Sequence, residues 1–565
     1  MSHFRKLLLG VFILAFSTNA FCALGGSMQL RDTHEHFSKA RDKGGAGDVL
    51  PGVTNQHLGQ IGAYEEEVKI PSYDENNSTH VLITESNGNW NSTVLNDSGK
   101  KHFYIAPGYY DTRINLTASG TEEDRRTLSL YNGNDEHPAS LPDSQVANVW
   151  FHLVDASYWI IDRMANLDRN VNPSMRLQRS SHNIINRWHG RNMKYGLTIY
   201  PFSDFNTVQN SYFNQATSEG IITDCIGLAL ANANTQDTVT RGTKVINNDF
   251  RNMTDGIQLI KSTYIANGNP SYPGTIIYDN RIWMDEDSYS DGNYAEDGFS
   301  HDPDSPYMLG ENAMDFKAAS NEPDAPVLVK SNIMWGYRQA DDTTPTNAGG
   351  AGTAISITRH SYNLKIDSNI IFDSQNGIGA THLYYEGTEF INNILYDIGR
   401  LNPPTSAYPQ GRNPYALYIS ASPDMQAPFL VKYNNNTFVR QHLNAVTGGG
   451  RTVSVHQNAA GSFLENNLFI DTQKMGGRIG NHTRKNNWYY NHTGATLGGE
   501  GEVMYATAEE GRMTDYAFVY ERFTGKPKQK ILKGVITTKD SPHYGIAGSS
   551  IPKYSENALF DDSFE

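Results

Sequence analysis

The sequence predicts an all-β solenoid, and three observations carry that prediction. An Asn followed by an apolar or aromatic pair returns along the chain, at Asn186, Asn210, Asn248, Asn280, Asn332, Asn369, Asn393, Asn436, Asn467 and Asn487. Short segments alternate apolar and polar residues, as Met314 and Phe316 do around Asp315, and Ile355 and Ile357 around Ser356. The composition suits many short strands joined by turns, with Gly 50, Tyr 32 and an ordinary Pro 23.

The Asn gaps are 24, 38, 32, 52, 37, 24, 43, 31 and 20 residues. The shortest suit one coil; the longer ones need inserted loops. One coil cannot bury its apolar face alone, so coils stack and like residues align. An inward Asn at each corner can then hydrogen-bond its counterparts above and below. A propeller fits less well, since neither even blade length nor blade signature is present. Period-two alternation gives each strand a buried and an open face. With Met314 and Phe316 inward, Asp315 and Lys317 point outward together.

In chain order, residues 1–23 read as a secretory signal, with Arg5 and Lys6 before the apolar run Leu7–Phe16. That run is short for a membrane span, and no later segment is a candidate. Localisation is therefore expected to be secreted or periplasmic; the bulky Phe21 before Cys22 disfavours a lipid anchor. Residues 24–100 are expected to form an N-terminal extension covering the first rung, with a short helix near His34–Arg41. The solenoid is assigned to residues 101–495 and a C-terminal cap or tail to 496–565. Cys22 and Cys225 are the two cysteines; once Cys22 leaves with the signal, Cys225 is a small buried apolar residue.

The balance of 61 acidic against 46 basic residues, net −15, and the lack of a basic stripe exclude nucleic acid as the expected partner. No Walker loop, dinucleotide fingerprint or zinc spacing occurs. The chain is expected to act as a monomer.

Chemistry concentrates between Gly310 and Asn369. GENAMDFKAAS (Gly310–Ser320) followed by GTAISITRHSYNLKIDSN (Gly352–Asn369) resembles the paired signatures of polysaccharide lyase family 6, which includes chondroitinase B and alginate lyases. In that family one coil carries a Lys in an acidic strand. A later coil carries a leucine-threonine-leucine-arginine-histidine-glycine stretch ending at an Asn corner. Lys317 matches the Lys, Ile355–His360 approximates the second stretch, and Asn369 matches the corner. Ala318 replaces the family's Ser, and Ser361 its Gly. Lys317 and Arg359 lie 42 residues apart (359 − 317), so an insertion such as Gln339–Gly352 must loop out.

The resemblance implies a single-stranded right-handed parallel β-helix, pectate-lyase-like, with long loop insertions and capped ends. It also implies cleavage of an acidic, uronate-containing polysaccharide by β-elimination. Such a reaction must neutralise the sugar carboxylate, accept the C5 proton and assist the leaving oxygen. Lys317 is assigned as base, which requires a pKa well below the ~10.4 of free lysine, and Arg359 as its assistant. His360, Lys261, His382 and Tyr337 are expected at the substrate. Glu311, Asp315 and Asp255 offer oxygen ligands suited to calcium. The acidic loop with Glu296, Asp297, Asp302 and Asp304 lacks calcium-loop spacing and reads first as solvated.

Bland readings stand beside these. Lys317 can simply pair with Asp315 or Glu311, Arg359 can bind a coil carbonyl, and Trp283, Trp335 and Tyr337 can pack rather than stack on sugars. Hydrolysis by a carboxylate pair such as Asp297, Asp302 or Asp315, epimerisation, and a non-catalytic matrix or adhesion role remain open on the same scaffold.

Overall fold

Asn, Asp and Ser tolerate left-handed backbone better than most residues, and this chain uses that tolerance to turn its corners. Asn247, Asp279, Ser331, Ser368, Asn392, Asn435, Asn466 and Asn486 all have φ between 51° and 59°. Each directly precedes an Asn of the sequence repeat. The dipeptide is thus a two-part device, a left-handed residue that turns the chain and an Asn that locks it to the next coil.

The computed structural model describes residues 64–131, 135–168, 173–193, 195–214, 226–230, 238–260, 271–284, 312–337, 352–358, 361, 363–383, 387–399, 415–421, 431–439, 451–455, 463–472, 475–477, 482–493, 498–505, 513–520 and 530–537. The expected signal segment, the helix near His34–Arg41, Cys225 and the acidic loop lie outside these residues.

The strands form a parallel β-helix with three faces. The first face is a 14-stranded parallel sheet running from His80–Ile83 to Thr483–Lys485. The other two faces are joined at their corners into a 24-stranded sheet. The second face carries Asp249–Arg251, Arg281–Trp283, Ile333–Trp335 and their equivalents in register. The third carries Asp255–Leu259, Asn312–Phe316 and Thr353–Ile357. The first rung thus begins at His80, inside the segment read as an extension, and the last reaches Val503–Tyr505, inside the segment read as the tail. A separate antiparallel pair joins Met513–Tyr520 to Lys530–Thr537.

The Asn ladder is continuous. The backbone N–H and side-chain amide of Asn248 donate to Asn280 Oδ1, both at 3.0 Å. The same pair of bonds recurs from Asn280 to Asn332, Asn369, Asn393, Asn436, Asn467 and Asn487. Asn186 and Asn210, expected on this ladder, stand before it. Asn210 occupies the left-handed position, and Ser211 fills the corner, receiving Trp188 N–H and donating its own N–H to Asn248. At the other end Asn487 donates to Glu502 Oε1 (3.0 Å).

The interior is a single stacked core of aliphatic and aromatic side chains. Phe438, Phe469 and Tyr489 lie ring over ring at 4.9 Å spacing. Trp283 and Trp335 also stack, at 5.1 Å, and continue through Phe372 and Tyr396. These rings belong to a second cluster, distinct from the core, and are 3% exposed or less. Alternation with Ile282, which faces the core, puts Trp283 on the outer side of the second face.

Candidate active site on the third face

On the third face, Asn312–Phe316 lies between Asp255–Leu259 and Thr353–Ile357, all parallel. Met314 and Phe316 are fully buried in the core, so Asp315 and Lys317 share the outer side as alternation requires. Lys317 Nζ contacts Asp315 Oδ2. The Asp315 side chain is 2% exposed and that of Lys317 18%. This ammonium therefore sits at the border between packed interior and solvent.

The neighbouring coil completes the acidic half of the site. Gln258 is in register with Asp315, and its Nε2 donates to Asp315 Oδ2 (3.0 Å) and to Asp255 Oδ2 (3.1 Å). Asn312 Nδ2 donates to Asp255 Oδ1 (3.3 Å). One amide thus ties together two carboxylates from adjacent rungs. Gly256 makes that rung possible: a Cβ there would lie 2.5 Å from Ile282 Cγ2 and 2.8 Å from the Ala313 carbonyl oxygen.

In the other direction the row Asp315, Ser356, Gly379, Tyr418, Ser454 runs in register across successive coils. Asn376 donates to Thr353 Oγ1 (3.4 Å) and accepts from Tyr415 N–H (3.4 Å). The rings of Tyr415 and Tyr418 lie 5.2 Å apart. The Tyr415 hydroxyl lies 2.6 Å from where a Gly379 Cβ would be, so only glycine leaves that ring its place.

Of the residues singled out from sequence, Lys317, Asp315 and Asp255 converge. Tyr337, expected at the substrate, is instead interior: it is 0% exposed and its hydroxyl donates to the Met253 carbonyl (3.2 Å). No sugar can reach a ring sealed there. Trp283 and Trp335 are packed as well. Arg359, His360, Lys261 and Glu311 lie outside the described residues, as do Glu296, Asp297, Asp302 and Asp304. Thr358, immediately before Arg359, donates its N–H to the Phe316 carbonyl (2.8 Å), beside Lys317. His382 falls within the strand Asn376–Leu383. Sequence reasoning misses Gln258, Tyr415 and Tyr418. The alternation of Asp255-Gly256-Ile257-Gln258 holds the signal for Gln258, but its partner is fixed by a register that bridges 57 residues.

Asp255 and Asp315 have the hard-oxygen chemistry that calcium takes, while Asn312 and Gln258 turn their amide nitrogens, not their oxygens, toward them. Among the described residues no group of three or more His, Cys, Asp or Glu side chains is close enough to hold a metal ion.

No protein-family model matches the chain, and none of the curated proteins matches it in sequence. Several solved structures are similar to it at low identity and with TM-scores below 0.5. The PL6 family alginate lyase AlyGC is 12% identical with a TM-score of 0.47, over 86% of this chain and 59% of that one. The catalytic domain of a GH87 alpha-1,3-glucanase is 12% identical with a TM-score of 0.33, over 79% of this chain and 69% of that one. Pectate lyase Pel9A is 11% identical with a TM-score of 0.31, over 79% and 87% respectively. The chain spans about three fifths of the length of the alginate lyase. No helix among the described residues is long and apolar enough to cross a membrane.

Proposed function

We propose that this protein is a polysaccharide lyase that cleaves a uronate-containing chain by β-elimination, with Lys317 as the proton acceptor and Arg359 assisting. The observation that supports this reading best is the Lys317–Asp315 pair, held at the solvent border of the third face. A lysine accepts a proton only when neutral, and a carboxylate in contact favours the ammonium. The same contact that orients Lys317 therefore has to be offset before elimination. A calcium ion held by Asp255 and Asp315 would supply that offsetting positive charge. The substrate carboxylate would then be met by positive charge, Lys317 would take the C5 proton as the C4–O bond breaks and the C4–C5 double bond forms, and Arg359 would meet the leaving oxygen.

Wild-type protein mixed with alginate, polygalacturonate, chondroitin or hyaluronan is expected to generate the ultraviolet absorbance of an unsaturated sugar end with at least one of them. Lys317→Ala is expected to lower the rate at least ~10³-fold while leaving the melting temperature within a few degrees. Full activity in that variant would remove Lys317 from the chemistry. New reducing ends without the absorbance favour hydrolysis. That reading has its own support in Asp255 and Asp315, two carboxylates joined through one amide.

A further inference from the structure

The row through Asp315 continues upstream in unbroken register: Gln258, Ala229, Thr198, Arg176, His152. Between Gln258 and Arg176 the row is closely packed, with Thr198 4% exposed and Ala229 0%. At Arg176 the character changes. The Arg176 guanidinium lies over the Tyr200 ring, 5.5 Å from its centroid. Two rungs further, that of Arg113 lies over the Trp150 ring at 5.6 Å. His152 stands between them on the same outer side, since Phe151 and Leu153 are buried in the core.

These side chains hold unused hydrogen-bonding capacity. His152 is 2% exposed and its Nδ1 has no partner; Arg176 Nε and Trp150 Nε1 are likewise buried without one. Buried donors without partners are uncommon in folded proteins and call for an explanation. Arginines elsewhere in this chain are handled differently. Arg187 pairs with Asp162 and Asp135, and Arg191 with Asp143 and Asp168. Among the described residues, neither Arg113 nor Arg176 contacts a carboxylate. The exposed Arg113 and the half-buried Arg176 are two cations spread on aromatic rings with no carboxylate of their own among the described residues, which suits a ligand that brings carboxylates; the buried donors stand behind them.

We infer that Arg113, Trp150, His152, Arg176 and Tyr200 form a second binding site, for a carboxylate-bearing polysaccharide. It begins at Arg176, four rungs from Asp315 or about 19 Å at the usual strand spacing, and extends two rungs further to Arg113. A polymer gripped at Arg113 and Arg176 would run on outside the packed row toward Lys317. The inference rests on the proposed reading for the class of ligand, but not on Lys317 being the base.

The experiment uses Lys317→Ala protein, so that the polymer survives the measurement. Binding of alginate, polygalacturonate, chondroitin and hyaluronan is measured by calorimetry, with dextran sulfate and neutral dextran as controls. At least one uronate polymer is expected to bind. Adding Arg176→Gln is expected to weaken it about tenfold, and adding Arg113→Ala to weaken it by a smaller factor. Long chains are expected to bind more tightly than oligomers too short to reach from Lys317 to Arg176, and Arg176→Gln to remove that advantage, a length dependence that a purely structural role would not produce. Arg113 is exposed, so its variant keeps the test decisive if Arg176→Gln fails to fold. Equal affinity in both variants, binding of none of the four polymers, or equal binding of dextran sulfate overturns the site. If polymer binds through Arg176 but wild-type protein yields no unsaturated product, the lyase reading fails and this site stands. If Arg176→Gln and Arg113→Ala, each made instead in protein that keeps Lys317, form unsaturated product on long chains with unchanged KM, the site fails and the lyase reading stands.

Discussion

At Glu502 a single carboxylate terminates the Asn ladder. Its side chain is 0% exposed. It accepts from Asn487 Nδ2, from the Tyr489 hydroxyl and from the Gly498 and Gly499 amides. Burial alone would raise its pKa. The hydrogen bonds from Asn487 and the two glycines, with Arg484 nearby, outweigh that and hold it below the ordinary carboxylate range. A depressed carboxyl pKa stabilises the fold above the unfolded value of about 4.3, and that contribution is lost as pH falls through the folded value. His482 and His492, pushed down to about 4 by burial, act with the same sign at higher pH. Each is neutral in the fold, and each costs stability as pH falls from about 6.5, where the unfolded chain begins to protonate. Melting temperature is therefore expected to fall in two stages between pH 7 and 3. Glu502→Gln should flatten the lower stage and cost about 1–3 kcal/mol at pH 7, because a Gln amide cannot accept from the glycines as the second oxygen does. An unchanged acid profile in that variant would show that the ladder does not depend on its carboxylate end.

The rung is the element of this fold, and the corner Asn is its fastening. The side chain of Asn369 receives two bonds from Asn332 and donates one each to the Val329 carbonyl and Asn393. Asn369→Ala would strand several buried polar groups at once, so chemical denaturation is expected to report a loss of about 3–5 kcal/mol. Asn→Ala at the exposed margin of the molecule should cost a small fraction of that. The corner is legible in sequence because one residue type recurs wherever the same hydrogen bonds must be made. It misleads at Asn186 and Asn210, where Ser211 and Trp188 fill the corner while an Asn lingers nearby for other reasons. The Asp315–Lys317 pair is legible for an equally local cause, since period-two alternation fixes which side of one strand each residue takes. The Gln258 bridge and the Arg176 and Trp150 patch are not, because they depend on which rungs adjoin, and the insertions between coils hide that register. Tyr337 misleads because aromatic residues serve core and sugar alike, and a sequence does not say which way a ring turns after a corner.

Across the whole molecule, contacts run between neighbouring coils, so stability should be distributed along one axis rather than around a centre. Hydrogen exchange is expected to be slowest in the middle coils, including Asn312–Phe316 and Thr353–Ile357, which pair on both sides. It should be fastest in His80–Ile83 and Val503–Tyr505, each paired on one side. Uniform protection along the chain would contradict this picture. The row from His152 to Ser454 crosses both regimes, which would anchor the chemistry at Lys317 on the stiffest rungs and the upstream grip on looser ones.

The ladder bond is 3.0 Å whether 20 residues separate its partners, as between Asn467 and Asn487, or 43, as between Asn393 and Asn436. Whatever is spliced between two corners therefore leaves the alignment of the next rung untouched. Such a scaffold can trade one excursion for another, and with it the contour presented to a passing polymer, while the spacing of Asp255, Asp315 and Lys317 stays as it was.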